Sequence, residues 1–231
     1  NGQYKNHGSC QTANAMALVT GLCEPENEQA VLEAILADLK KRGYQQTAGD
    51  VGFHYLVEAL GRNGCDETVS KVLNRRNEGS YGFIIDRGWS ALPEAWDANT
   101  GASMNHCMLG HAQQWFYMNV LGIQQSEDSA GFRKLVIKPA LESGLEWAKG
   151  HYDSVQGRIS VDWKKKGSRL TMDVTIPANT TATVYVPAKD VASVTESGKP
   201  ASQSEGVKFL RMEQDRAVLE VASGSYEFEA R

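Results

Sequence analysis

Residues 103–131 read SMNHCMLGHAQQWFYMNVLGIQQSEDSAG, and the hydrophobic period of the chain changes inside them. Ser103 is placed to cap a helix that Gly122 closes. Met104, Met108 and Trp115 run along one side of it, and Leu109, Phe116 and Val120 along another. A helix apolar nearly all round is expected to be buried among other helices. The polar run 123–131 then divides the chain. Ahead of it the period is helical: Val31, Ile35 and Leu39 recur at i, i+4, i+8, and Phe53, Leu56, Val57 and Leu60 at i, i+3, i+4, i+7. An earlier helix covers Cys10 to Leu22, and Asp66 is placed to N-cap a short one carrying Val69, Val72 and Leu73. Behind it the period is two. Ile159, Val161 and Trp163 alternate with polar residues, as do Leu170, Met172, Val174 and Ile176, and then Ala182, Val184 and Val186. The pattern predicts a helical domain over 1–125 and an antiparallel β-sandwich over 126–231. Helix pairs joined by long loops suit part of a larger helical barrel better than a closed bundle.

With 231 residues, 41% hydrophobic and 23% charged, and a net charge of −4, the chain is ordinary globular material. Nothing in that charge attracts nucleic acid, and no apolar run is long enough to span a bilayer. Cys10, Cys23, Cys65 and Cys107 show no CxxC spacing, so no metal site is expected and buried free thiols are. No phosphate-loop or dinucleotide fingerprint calls for a cofactor, and none is expected. The chain opens on Asn1 without a signal segment, so a fragment is expected, with bacterial cytoplasm, periplasm and secretion all open.

Chemistry concentrates between Glu78 and Ala102, a stretch without clear period that is rich in aromatic side chains. Long ordered loops of that kind usually line something. The segment from Gly88 to His106, which overlaps that stretch, reads GWSALPEAWDANTGASMNH. Tryptophans beside a carboxylate suit a sugar, since ring faces pack on pyranose C–H groups while carboxylates take hydroxyls. Glu94 is the sharpest candidate for a general base, with Trp96 two residues on placed to shield it from water. His106 is placed to donate to a hydroxyl or to orient the carboxylate. Trp89 and Asp86 are weaker substrate-binding candidates, as an Asp86–Arg87 neighbour pair is usually a local salt bridge. A plain surface glutamate and a locally bonded helix-start histidine are the bland readings of Glu94 and His106. His54 and Tyr55 are placed near the same rim, His111 in the core or between helices, and His7 has no context. In the second half, Trp147, His151 and Tyr152 could make a sugar patch, although strand aromatics are more often core.

Five stretches in order resemble the bacterial α-L-rhamnosidases: SCQTANAMAL, TAGDVGFHYLVEALGRNG, YGFIIDRGWSALPEAWD, SMNHCMLGHAQQWFYMNVLGI and KLVIKPALESGLEWAKGHYDSVQGRISVDWK. The resemblance covers nearly the whole chain. It implies the second half of an (α/α)6 barrel followed by a C-terminal β-sandwich. It further implies an inverting glycoside hydrolase in which Glu94 is the general base, His106 binds the sugar and Trp96 matches the tryptophan after the base. The family's general acid falls in the first half of the barrel, so the chain by itself is expected to be inactive. The implied partners are a rhamnoside substrate and the other half of the barrel, and an exposed half-barrel face would favour a homodimer. Before Glu94 the chain reads Gly88-Trp89-Ser90-Ala91-Leu92-Pro93, where the family often reads Gly-Ala-Thr-Thr-x-Trp. A related (α/α)6 glycosidase for another sugar and a non-catalytic carbohydrate-binding fragment are the alternatives.

Overall fold

The computed structural model describes residues 10–97 and 101–230, and it divides into two compact units, Asn1–Trp115 and Phe116–Arg231. Among the described residues of the first unit the helices are α1 (Cys10–Val19), α2 (Pro25–Lys41), α3 (Asp50–Arg62), α4 (Asp66–Asn74), α5 (Tyr81–Asp86) and the single turn α6 (Ala112–Trp115). In α2, Pro25 opens the helix, Glu26 and Glu28 occupy its first turn, and Lys40 and Lys41 its last, which complements the helix dipole. Its buried stripe is Val31, Leu32, Ile35 and Leu39. α1 packs on α2 and α3. Gly52 permits the α3 contact, since a Cβ there would lie 2.5 Å from Thr12 Oγ1.

Gln11 of α1 is fully buried and acts as a tie. Its amide nitrogen donates to Asp38 Oδ2 at 2.7 Å and to the Gln45 carbonyl at 3.2 Å. Its amide oxygen accepts the Thr47 N–H at 2.9 Å. One side chain therefore fixes the connection from α2 to α3.

Three expectations change here. Asp66 does not cap α4 but forms its first residue, buried, where Oδ1 accepts the Trp115 Nε1–H at 2.7 Å. The stretch after Glu78 is not aperiodic throughout. Ser80 caps α5, its Oγ accepting the Phe83 N–H at 3.3 Å, and Gly82 is required because a Cβ would fall 2.2 Å from the Arg75 carbonyl oxygen. The helix expected from Ser103 starts only at Cys107, as a 3-10 segment Cys107–His111, then α6, then a π-turn Phe116–Val120. Gly110 weakens α propagation there, and the Leu109 carbonyl accepts the Tyr81 hydroxyl. It is not buried all round either: Leu109, Ala112, Trp115 and Val120 are buried, while Met104, Phe116 and Met118 are exposed. The thiols differ likewise, with Cys23 buried, Cys65 half-buried and Cys107 exposed.

The second unit holds strands β1 (Ile123–Gln125), β2 (Lys134–Ile137), β3 (Trp147–Ser154), β4 (Gly157–Lys166), β5 (Arg169–Ile176), β6 (Thr181–Pro187), β7 (Val194–Glu196), β8 (Lys199–Pro200), β9 (Val207–Glu213), β10 (Arg216–Val221) and β11 (Gly224–Ala230). They form two sheets, ordered β1-β2-β6-β10-β9 and β3-β4-β5-β11-β7-β8. All pairs are antiparallel except β2 with β6. The period-two residues make the core: Ile159, Val161, Trp163, Met172, Val184 and Val186 are fully buried. Trp163 also donates Nε1–H to the Val120 carbonyl at 2.8 Å. The β3 aromatics depart from the core expectation. β3 ends its sheet, and Trp147 is 63% exposed and Tyr152 41%.

Candidate functional site

The loop from Gly88 to His106 is built as two bridged arms. The Glu94 N–H donates to the Ser103 carbonyl and the His106 N–H to the Leu92 carbonyl, both at 2.8 Å. Residues 98–100 lie outside the described residues. These bridges hold Glu94 on one arm, opposite Ser103, and His106 on the other, opposite Leu92. The Glu94 carboxylate is itself engaged: Oε2 accepts the Ser103 N–H at 2.9 Å. That fixes one oxygen of a residue that is otherwise exposed.

His106 caps the 3-10 segment, its Nδ1 accepting the Met108 N–H at 3.4 Å. A nitrogen that accepts carries no proton, so the neutral ring holds its proton on Nε2. Nε2 is therefore a donor, suited to the oxygen of a sugar hydroxyl.

Trp96 anchors the loop rather than shielding the exposed Glu94. Its Nε1–H donates to the Ala48 carbonyl at 2.9 Å. Its ring meets Phe53 edge-on at 5.0 Å and 81°, and lies 6.3 Å from Tyr81. Ala48 directly follows Thr47, the residue that Gln11 holds. A continuous tie thus runs from α1 through the α2–α3 connection to the residue two positions beyond Glu94. Tyr81 extends it, bonding through its hydroxyl to the Leu109 carbonyl. Burial pushes the Tyr81 phenol up to about 12, with the Ala112 backbone opposing, so it stays a protonated donor.

Asp86 and Trp89 are occupied by local contacts. Asp86 Oδ1 pairs with Arg76 Nη1 at 2.7 Å, not with its neighbour Arg87. The Arg87 guanidinium instead lies over the rings of Phe83 at 4.5 Å and Trp89 at 5.5 Å. His54 and Tyr55, neighbours in α3, are both half-buried. His54 Nε2 lies 3.0 Å from Glu58 Oε2, whose other oxygen meets Arg62. The His111 ring packs on His54 at 4.7 Å between centroids. Burial first, and His54 second, lower the pKa of His111. His7 lies outside the described residues. The ties made by Gln11, the Ala48 carbonyl, Tyr81 and Ser103 escaped the sequence reading, which saw Ser103 only as a helix cap, because they rest on contacts made at long range or by the backbone.

Among the described residues, no group of three or more His, Cys, Asp or Glu is placed to hold a metal, and no helix is long and apolar enough to cross a membrane.

The helical domain of bacterial alpha-L-rhamnosidases, a 6 hairpin glycosidase domain, matches residues 1–120, and the C-terminal domain of the same enzymes matches residues 122–201. An alpha-L-rhamnosidase of Streptomyces avermitilis is 28% identical over 233 residues, covering 97% of this chain and 22% of its own. The crystal structure of a Streptomyces avermitilis alpha-L-rhamnosidase complexed with L-rhamnose superposes with a TM-score of 0.89 at 27% identity, over 99% of this chain and 22% of that one. The alpha-L-rhamnosidase of Dictyoglumus thermophilum gives 0.84 at 27% identity, over 96% of this chain and 25% of that one. The chain spans about a quarter of the length of such relatives. Two domain models in the order of the two structural units, the first alone covering residues 1–120 of 231, make this chain a member of the bacterial alpha-L-rhamnosidase family.

Proposed function

We propose that this chain carries the general-base half of an inverting α-L-rhamnosidase site and acts on terminal α-L-rhamnosides. The bridged loop carries the reading: it fixes the Glu94 carboxylate through Ser103 and sets His106 on the facing arm with Nε2 as donor. Water attacks the anomeric carbon while Glu94 takes its proton. The glycosidic C–O bond breaks, and a second carboxyl group protonates the departing oxygen. In inverting enzymes the two groups stand roughly 6.5–9.5 Å apart, leaving room for the water. His106 holds a hydroxyl of the sugar; Trp89 and Asp86, engaged with Arg87 and Arg76, are left out of this reading. The resemblance implies that the acid lies in the first half of the barrel, and the chain spans about a quarter of its relatives' length, so in this reading the 231 residues alone turn over no rhamnoside.

The test compares Glu94→Gln with the parent in the longest protein that contains this chain, on p-nitrophenyl α-L-rhamnoside. The amide keeps the Ser103 contact and removes the base. We expect kcat to fall by about 10²–10⁴ with little change in KM. An unchanged kcat removes Glu94 from the mechanism. Rapid turnover by the 231-residue chain alone refutes the half-site.

A further inference from the structure

Among the described residues, the two sheets of the second unit end in four edge strands, β1, β9, β3 and β8. An open edge offers unpaired N–H and C=O groups to any strand that reaches it, and proteins blunt such edges by shortness, proline, bulges or charge. Three of these four are blunted. β1 has three residues, and β8 has two and includes Pro200. The ladder between β9 and β10 shifts register between Val218 and Leu219. β3 differs. It runs for eight residues without a proline, and its ladder with β4 is unbroken from Trp147 to Ser154.

One bond fixes which groups of β3 face outward. The Lys165 N–H donates to the Glu146 carbonyl at 2.8 Å, so Glu146 turns its backbone towards β4. Antiparallel ladders alternate, so Ala148, Gly150, Tyr152 and Ser154 do the same. Trp147, Lys149, His151 and Asp153 then turn their N–H and C=O groups to the open side. Among the described residues no other segment hydrogen-bonds to those groups. The side chains of the same four residues share one face of the sheet.

We propose that β3 pairs with β3 of a second copy of this chain, antiparallel across a two-fold axis, and joins the two sheets into one. The strand's own side chains select this occupant. With His151 opposite itself, Lys149 faces the partner's Asp153, and Asp153 faces the partner's Lys149. No other two-fold register sets both charges against their opposites, and centring the pair on Lys149 or on Asp153 sets like against like. The same register brings Trp147, 63% exposed, towards the partner's Val155, 84% exposed. Opposite charges and apolar pairs directly across two strands stabilise a sheet. Within one copy Lys149 already meets Asp162 at 2.7 Å, and Asp153 meets Arg158 at 2.8 Å. Across the joint the row therefore runs Asp162, Lys149, Asp153, Arg158, alternating in sign. A foreign strand would have to carry this order of charges by chance, whereas a second copy carries it by symmetry. The pairing uses neither Glu94 nor His106 and does not rest on the catalytic reading.

The test is sedimentation velocity over a concentration series, on the longest protein that contains this chain. The parent should show a reversible monomer–dimer equilibrium. His151→Pro deletes an N–H on the open side and none of the bonds to β4, so the dimer should be lost while the monomer still folds. Lys149→Glu and Asp153→Lys should each weaken dimerisation about tenfold or more, because each sets two like-charged pairs across the axis. Mixed in equal amounts, those two variants should form a heterodimer about tenfold or more tighter than either makes alone, since every charge again meets its opposite. The mixture decides the matter even if the proline variant unfolds. A parent that stays monomeric, a dimer that survives in folded His151→Pro, or a mixture no tighter than its components would overturn the proposal.

Discussion

Trp96→Phe separates what the loop anchor does for catalysis from what it does for folding. Phenylalanine keeps an aromatic ring against Phe53 and Tyr81 and deletes the Nε1–H that the Ala48 carbonyl accepts at 2.9 Å. Ala48 is 2% exposed, so water does not readily replace that donor. A buried carbonyl left without a partner costs about 1–3 kcal/mol. The cost falls on the anchored state of the loop, the one that sets Glu94 and His106 on facing arms. At about 1.36 kcal/mol per tenfold, kcat/KM should drop by about 5–150-fold. A misplaced base affects the transition state more than sugar binding, so most of the loss should appear in kcat. The assay is steady-state hydrolysis of p-nitrophenyl α-L-rhamnoside by the longest protein containing this chain, with thermal unfolding followed on the same sample. A lower Tm with unchanged kcat/KM would refute the reasoning, because Trp96 would then support the fold without positioning Glu94.

Asp66→Ala removes the acceptor that the buried Trp115 Nε1–H uses at 2.7 Å, and the midpoint of urea unfolding should fall by the equivalent of about 1–3 kcal/mol; a change below about half a kcal/mol would show that the pair adds nothing net. Gly82→Ala drives a Cβ to 2.2 Å from the Arg75 carbonyl oxygen, so α5 must shift; limited proteolysis should then cut near 75–82, and an unaltered digestion pattern would count against the close approach. His111 has a folded pKa below the ordinary value of 6.5, so the unfolded chain takes its proton first. Its contribution is complete above about pH 6.5 and is lost as pH falls through the lowered folded value. His111→Leu should therefore flatten the fall of Tm as pH drops below about 6.5, and an unaltered slope would exclude His111 as its source.

The strands were legible because burial on one face imposes a period of two, and Trp163, Met172 and Val184 obey it. The same rule fails for Trp147, since β3 ends its sheet and presents its outer face to solvent. Its apolar character invited a core assignment that only the neighbouring strand could deny. α5 was hidden for a related reason. Six residues give too few turns for a period to show, and what starts the helix is one serine hydroxyl and one glycine-tight contact. The segment after Ser103 failed differently: its apolar residues are all there, but composition alone does not say that Met104, Phe116 and Met118 would lie exposed.

Glu94 and His106 were visible as residue types, and the roles proposed for them rest on resemblance; what holds them was not visible. Trp96 finds its acceptor 48 positions away at Ala48, and Gln11 finds Thr47 36 away. No local rule links those pairs, because each partner on one side is a backbone group that every residue carries. The chemistry of such a site is concentrated in side chains that a motif can name. Its precision comes from peptide carbonyls and N–H groups, which no motif can. A chain could keep Glu94, His106 and both tryptophans and still lose catalysis through one change at Gln11. For that reason the anchor, rather than the carboxylate alone, is the place to test how this loop works.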